Sequence, residues 1–205
     1  MSPWGTERAT ERVGELARAV VEVGLGGRLD ATNVAAKPAL TVITPVSIDH
    51  EQYLGNTLAK IAFEKAGILK RGVTCVVGPQ PDEALEAIEA QAAKVGAPLL
   101  VYGQHWHVQA ERGRLVYSDE TGLRDLPPPA LIGEHQFDNA GSAIAALRHL
   151  GLGDSAYEAA MSRAVWPARM QRLTKGPLPE AAPEAELWLD GGHNPSAGEA
   201  LGKVL

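Results

Sequence analysis

Short apolar runs alternate with helix-length amphipathic stretches along most of this chain, and that alternation constrains the fold more than any other feature. The runs Val20–Val23, Leu40–Thr44, Thr74–Val77, Leu99–Tyr102 and Leu187–Leu189 read as strands bounded by Gly, Pro or Asp. Helical patterns cover Thr57–Leu69, Asp82–Val95, Asn139–Leu150, Ser155–Val165 and a last stretch from Ser196. Strands separated by helices of this length pair in parallel, because a parallel neighbour is reached through a crossover. One hairpin is expected, Trp106–Gln109 with Arg114–Tyr117, turning at Arg112-Gly113. The expected fold class is therefore α/β with a parallel sheet.

The stretch from Gly176 to Pro183 holds three prolines and little apolar content, and Trp166-Pro167 stands just before it. This reads as a seam between residues 1–166 and 167–205. The second part would hold one strand and one helix, too little to bury a core alone, so both ends of the chain read as cut. Residues Met1–Arg12 are polar and lack the apolar core of a secretory signal, while Glu7–Ala19 reads as a polar helix. No apolar run approaches the roughly 20 residues of a membrane helix, and a cytoplasmic setting is expected. The 19 Lys and Arg against 25 Asp and Glu leave a charge of -6, the wrong balance for a dedicated nucleic-acid binder. Cys75 is the only cysteine and lies in the apolar run Val73–Val77, as a small buried side chain would.

Several polar clusters sit where strands hand over to helices. Glu22 precedes the Gly-rich loop Gly24–Asn33, where it could hold a hard cation or simply be a satisfied polar residue beside a tight turn. Ser47-Ile48-Asp49-His50 follows an expected strand, and Asp49 and His50 could converge on the same ion; a capped loop histidine is the alternative. Lys65 lies in an amphipathic helix, and by periodicity is a solvated residue. Asn139 opens a small-residue helix as a cap or as a carboxamide able to read a purine edge. Asp190-Gly191-Gly192-His193-Asn194-Pro195 follows the last strand, either as a phosphate or carboxylate site or as a capped turn with Pro195 at the helix start.

Taken in order, these segments resemble the folylpolyglutamate and dihydrofolate synthases, a branch of the Mur ligase superfamily. The resemblance rests on Glu22–Asn33, Ser47–His50 with Leu54-Gly55-Asn56-Thr57, Glu64–Ile68, His135-Gln136 with Asn139-Ala140, Trp166-Pro167 with Arg169, and Asp190–Pro195. It covers the chain from about Val20 onward. The run Leu25–Asp30 favours this branch over the cell-wall ligases of the superfamily.

The resemblance implies that residues 1–166 are the central ATP-binding domain and 167–205 the beginning of a Rossmann-like glutamate ligase domain. It implies an ATP-dependent ligase that joins L-glutamate to dihydropteroate or a tetrahydrofolate, acting on small molecules as a monomer. By the same resemblance Glu22, His50 and Lys65 would hold Mg²⁺, with Lys65 carbamylated. Asn139, Arg169 and Asp190 would contact ATP, Leu29, Asp30 and Ala31 the pteroate substrate, and His193 the phosphates or the incoming glutamate. The family carries a P-loop upstream of the Glu22 motif. No Gly-x-x-x-x-Gly-Lys-Ser/Thr occurs in these residues, and Gly202-Lys203 is followed by Val204. The expectation is thus that the isolated chain is inactive, or a noncatalytic remnant of the family.

Overall fold

A computed structural model of the chain describes residues 19–204. Three short parallel strands, β1 (Thr41–Ile43), β2 (Cys75–Val77) and β3 (Leu99–Val101), pair in that order. The register sets Thr41 beside Cys75 and Cys75 beside Leu99. Helices α1 (Glu51–Leu54) and α2 (Leu58–Ala66) connect β1 to β2, and α3 (Asp82–Val95) connects β2 to β3.

Strand β2 is buried along its whole length because both of its faces are covered. Cys75 and Val77 point into one core with Ile43, Ile61, Ala62, Ala84, Ile88 and Val101. Val76 points the other way, into a second core with Trp106, Leu115, Tyr117, Ile144, Tyr157 and Met161. Alternating side chains on one strand thus tie two cores together. Burial pushes the Cys75 thiol up to about 11, as expected for an unreactive core cysteine.

The second core lies between an antiparallel meander and two helices. The meander is β4 (Trp106–Glu111), β5 (Arg114–Asp119) and β6 (Gly122–Leu126). The β4–β5 turn is Arg112-Gly113, with φ 51° and 75°, the pair of positive values that a two-residue hairpin requires. Helix α4 (His135–His149) packs on β4, and α5 (Asp154–Arg163) packs on α4. The Trp106 indole N–H donates to Leu100 O at 3.0 Å, joining the meander to the parallel sheet. Arg148 pairs with Asp119 at 2.6 Å and lies over the rings of Tyr117 and Tyr157. Beyond Trp166-Pro167, β7 (Gln171–Leu173) pairs antiparallel with β8 (Leu187–Leu189). Helix α6 (Pro177–Ala181) lies between them and α7 (Pro195–Gly202) follows.

Three expectations change. Val20–Val23 forms no strand, and Val20 and Val21 are exposed: among the described residues no strand pairs with this run, which leaves it no ladder to join. Helix α4 starts at His135 rather than Asn139, which puts Asn139 in the second turn instead of at the cap. The seam holds a strand and a short helix of its own, β7 and α6, whose polar residues gave no strand or helix period. The helix expected over Glu7–Ala19 falls, up to residue 18, outside the described residues. Among those described, no helix is long and apolar enough to cross a membrane.

Gly141 marks the closest approach of α4 to β4. A Cβ there would meet Trp106 Cζ3 and Val108 Cγ1, each at 2.7 Å. Gly141→Ala is expected to destabilise the fold by about 1–3 kcal/mol, the usual range for overpacking a core. Urea unfolding followed by tryptophan fluorescence would measure it.

Candidate active site

The loop 24–33 is built around one carboxylate. Asp30 accepts backbone N–H groups from Gly24 at 3.1 Å, Leu25 at 2.9 Å and Thr32 at 2.9 Å, and the Thr32 hydroxyl at 2.6 Å. Burial alone would push this carboxyl up, but the bonds from Thr32, Leu25 and Gly24 outweigh it and hold it below the usual range.

The loop then docks on the end of α2. The Arg28 amide donates to Glu64 O at 2.8 Å, and its guanidinium grips the Glu64 carboxylate. Asn33 donates to Arg28 O and Gly67 O and accepts from Lys70 Nζ at 2.7 Å. Backbone meets backbone so closely that a Cβ on Gly27 would stand 2.8 Å from Ile68 Cγ2, and one on Gly67 would stand 2.3 Å from Arg28 Cβ. The glycines therefore let the loop lie against its own helix. Leu29 and Ala31 are left exposed at its tip, and Glu22 is exposed ahead of it.

After β1 the chain is pinned by Gln80, which accepts from the Val46 amide and donates to Thr44 O. His50 caps α1 with a left-handed backbone, φ 52°. The Asp49 carboxylate accepts the His50 amide at 2.7 Å and the Asn194 side-chain amide at 2.8 Å, from a residue 145 positions along the chain. The Asn194 bond is the main reason this carboxyl sits below the usual range; burial opposes it, while the His50 amide and the rings of His50 and His193 assist. Lys65 is half-buried on α2; burial lowers its pKa and the nearby Asp49 charge opposes the shift.

The loop after β8 is held in turn by Asp190, which accepts from Met170 N at 2.8 Å and Gly192 N at 2.6 Å. Asn194 caps α7 by accepting from Ala197 N at 2.8 Å. One carboxamide thereby starts a helix with its oxygen and reaches Asp49 with its nitrogen. The His193 Nδ1 lies 2.9 Å from Gly191 O, which leaves Nε2 facing outward. One ligand atom each from Asp49, His50 and His193 lie within 4.8 Å of one another.

Arg169 is exposed between two residues of positive φ, Ala168 at 55° and Met170 at 43°. It lies near enough to His135 that, after burial, it is the main influence lowering that imidazole's pKa; Asp190 and Asp138 oppose it. Asn139 is exposed and donates to the buried Gln136, whose amide nitrogen contacts His135. A cavity of about 330 Å³ opens beside this segment, with His135, Asp138, Ala200 and Lys203 in its lining. Burial raises the Asp138 carboxyl, against the influence of His135 and Lys203.

The structure thus brings His50 and His193 together with Asp49 and sets Lys65 near that carboxylate. Arg169, Asp190 and His135 gather in a second place. Glu22 and the tip residues Leu29 and Ala31 lie outside the three-residue group. Asn194 carries a helix-capping signal in the sequence, and nothing local signals its bond to Asp49.

Over most of its length the chain is similar to part of several known enzymes. The dihydrofolate synthase/folylpolyglutamate synthase of Bacillus subtilis is 33% identical over 199 residues, which cover 91% of this chain and 44% of that protein. The chain belongs to the folylpolyglutamate and dihydrofolate synthase family. A Mycobacterium tuberculosis member is 36% identical over 214 residues, covering 91% of this chain and 40% of its own length. A folylpolyglutamate synthase in complex with AMPPCP and folate matches the fold with a TM-score of 0.80 at 29% identity, over 95% of this chain and 48% of its own. Escherichia coli FolC with DHPP and ADP gives a TM-score of 0.74 at 33% identity, over 88% and 41%. No protein-family model matches the chain. The chain spans less than half the length of these family members.

The Asp30 staple makes the loop pH-sensitive in a defined direction. Its carboxyl is depressed in the folded state, so its stabilisation is present above the unfolded value near about 3.9 and is lost as pH falls through the lower folded value. The protection of amides in the loop 24–33, taken relative to intrinsic exchange at each pH, should fall across that acid window. In Asp30→Asn that protection should be low already at neutral pH, with little further change on acidification.

Proposed function

We propose that this chain carries substrate-binding and nucleotide-binding elements of an ATP-dependent ligase that joins L-glutamate to dihydropteroate or a folylpolyglutamate. The observation that carries the reading is the meeting of Asp49-His50 with His193-Asn194, two family motifs 145 residues apart, at one place. Relatives bound to AMPPCP and folate, and to DHPP and ADP, support it. We read residues 1–166 as the central domain and 167–205 as the start of the ligase domain, in a cytoplasmic monomer.

In this mechanism the substrate carboxylate takes the γ-phosphoryl group of ATP, and the glutamate amine displaces phosphate from the acyl phosphate to leave an amide. Charge on the transferring group must be offset, so the site has to gather cations and donors. Leu29 and Ala31, exposed on a loop that Asp30 holds rigid, would contact the pteroate. Asn139 and Arg169 would contact the nucleotide, with Asp190 fixing the turn that presents Arg169 through its bond to Met170 N. His193, held by Gly191 O, would direct Nε2 at the phosphates or at the glutamate.

Glu22 and His50 would hold Mg²⁺, with a carbamate on Lys65. Mg²⁺ favours one or two carboxylates and completes its shell with phosphate oxygens and water, so Glu22 and a carbamate suit it better than an imidazole does. The bound ion would supply charge neutralisation for phosphoryl transfer. Lys65 suits carbamylation because burial lowers its ammonium pKa, and CO₂ adds to the neutral amine with release of one proton. Carbon-13 bicarbonate should therefore give a carbamate carbonyl resonance that Lys65→Arg lacks.

ADP release from Mg-ATP tests the activity. It is to be followed with dihydropteroate or tetrahydrofolate and glutamate, in this chain and in a version joined to a family-type P-loop segment and to the remainder of a family ligase domain. Release in the joined version that requires both co-substrates is the expected result. Silence in both versions would contradict the ligase reading.

A further inference from the structure

The group Asp49, His50 and His193 has a donor set of its own: one carboxylate oxygen and two imidazole nitrogens within 4.8 Å of one another. Such a set is poorly matched to Mg²⁺, which prefers oxygen ligands, and better matched to borderline first-row ions. Zinc–nitrogen bonds of about 2.0–2.1 Å put two ligands at most about 4.2 Å apart, so small side-chain rotations would close the group.

Its surroundings resemble those of metal-binding residues. A ligating histidine ordinarily gives its second nitrogen to a carbonyl or carboxylate, which fixes the tautomer. His193 Nδ1 stands 2.9 Å from Gly191 O in that arrangement, with Nε2 left over. Asp49 is oriented by the Asn194 amide at 2.8 Å and by the His50 amide at 2.7 Å. The His50 ring stands 6.4 Å from the His193 ring, centroid to centroid, on the opposite loop.

We propose that Asp49, His50 and His193 bind a divalent ion of the zinc or cobalt class without nucleotide, clamping the loop after β1 to the loop after β8. The proposal shares His50 with the magnesium assignment made above, but it needs neither Glu22 nor ATP.

The test is Co²⁺ titration of the nucleotide-free 205-residue chain, followed by visible absorption, with Zn²⁺ as competitor. Saturable binding of one ion is expected, displaced by Zn²⁺ and weakened by about tenfold or more in His50→Ala, His193→Ala and His193→Gln. Far-UV circular dichroism would establish that each variant keeps its fold; His193→Gln preserves a polar side chain at that position. Glu22→Gln should bind Co²⁺ as the unaltered chain does. Absence of saturable binding, binding that survives the loss of His193, or loss of binding in Glu22→Gln would each overturn the proposal. No turnover enters the titration, so failure of the ligase reading would leave its outcome unchanged.

Discussion

Strand β2 is the element on which the rest of the molecule depends. A strand of three residues can hold two cores only if every side chain is used, and Cys75, Val76 and Val77 are all buried. Cys75 and Val77 secure α2 and α3, while Val76 secures the meander and α4. The parallel pairing on both sides of β2 then fixes which ends of the strands face together. In a sheet of this kind ligand-binding loops follow the carboxyl ends of strands, and the loop after β1 carries Asp49 and His50.

From that frame the candidate site is assembled by polar groups that each serve two purposes. Asp30 organises the loop 24–33 while Arg28 and Asn33 bind it to α2. Gln80 holds the approach to Asp49 from both sides. Asn194 both caps α7 and reaches Asp49, so the start of a helix and the joining of two distant motifs are one event. The side chains with the most chemistry, His50, His193 and Arg169, are the exposed ones. Their supports are backbone carbonyls, carboxylates and strained turns rather than burial.

Much of the fold could be read from the chain because its signals were local. The hairpin at Arg112-Gly113 was legible in one glycine beside an alternating pattern, and the helices α2, α3 and α5 in their period. Strand β6 was not, since Gly122–Leu126 has only two apolar residues and owes its strand to β5. Val20–Val23 departs for the opposite reason: its pattern is apolar, but a strand needs a partner, and among the described residues none pairs with it. The site followed the same division. His50 and His193 stand out within their motifs, and the sequence places Asp49 beside His50, where the two could share an ion. Their meeting depends on the Asn194 bond across 145 residues, which no local pattern announces. The docking of Gly27 and Gly67 is equally nonlocal, and turned an expected ligand-approach loop into a loop packed on its own helix.

Under the proposed function, the segments 47–50, 135–139 and 190–194 all lie against one bound Mg-nucleotide. Amide chemical shifts of the nitrogen-15-labelled chain, recorded during titration with Mg-AMPPCP, test this most directly. Resonances from all three segments are expected to move together along one binding curve, while those of the β4–β5 turn stay still. Movement confined to a single segment, or no saturable movement in any of them, would contradict it.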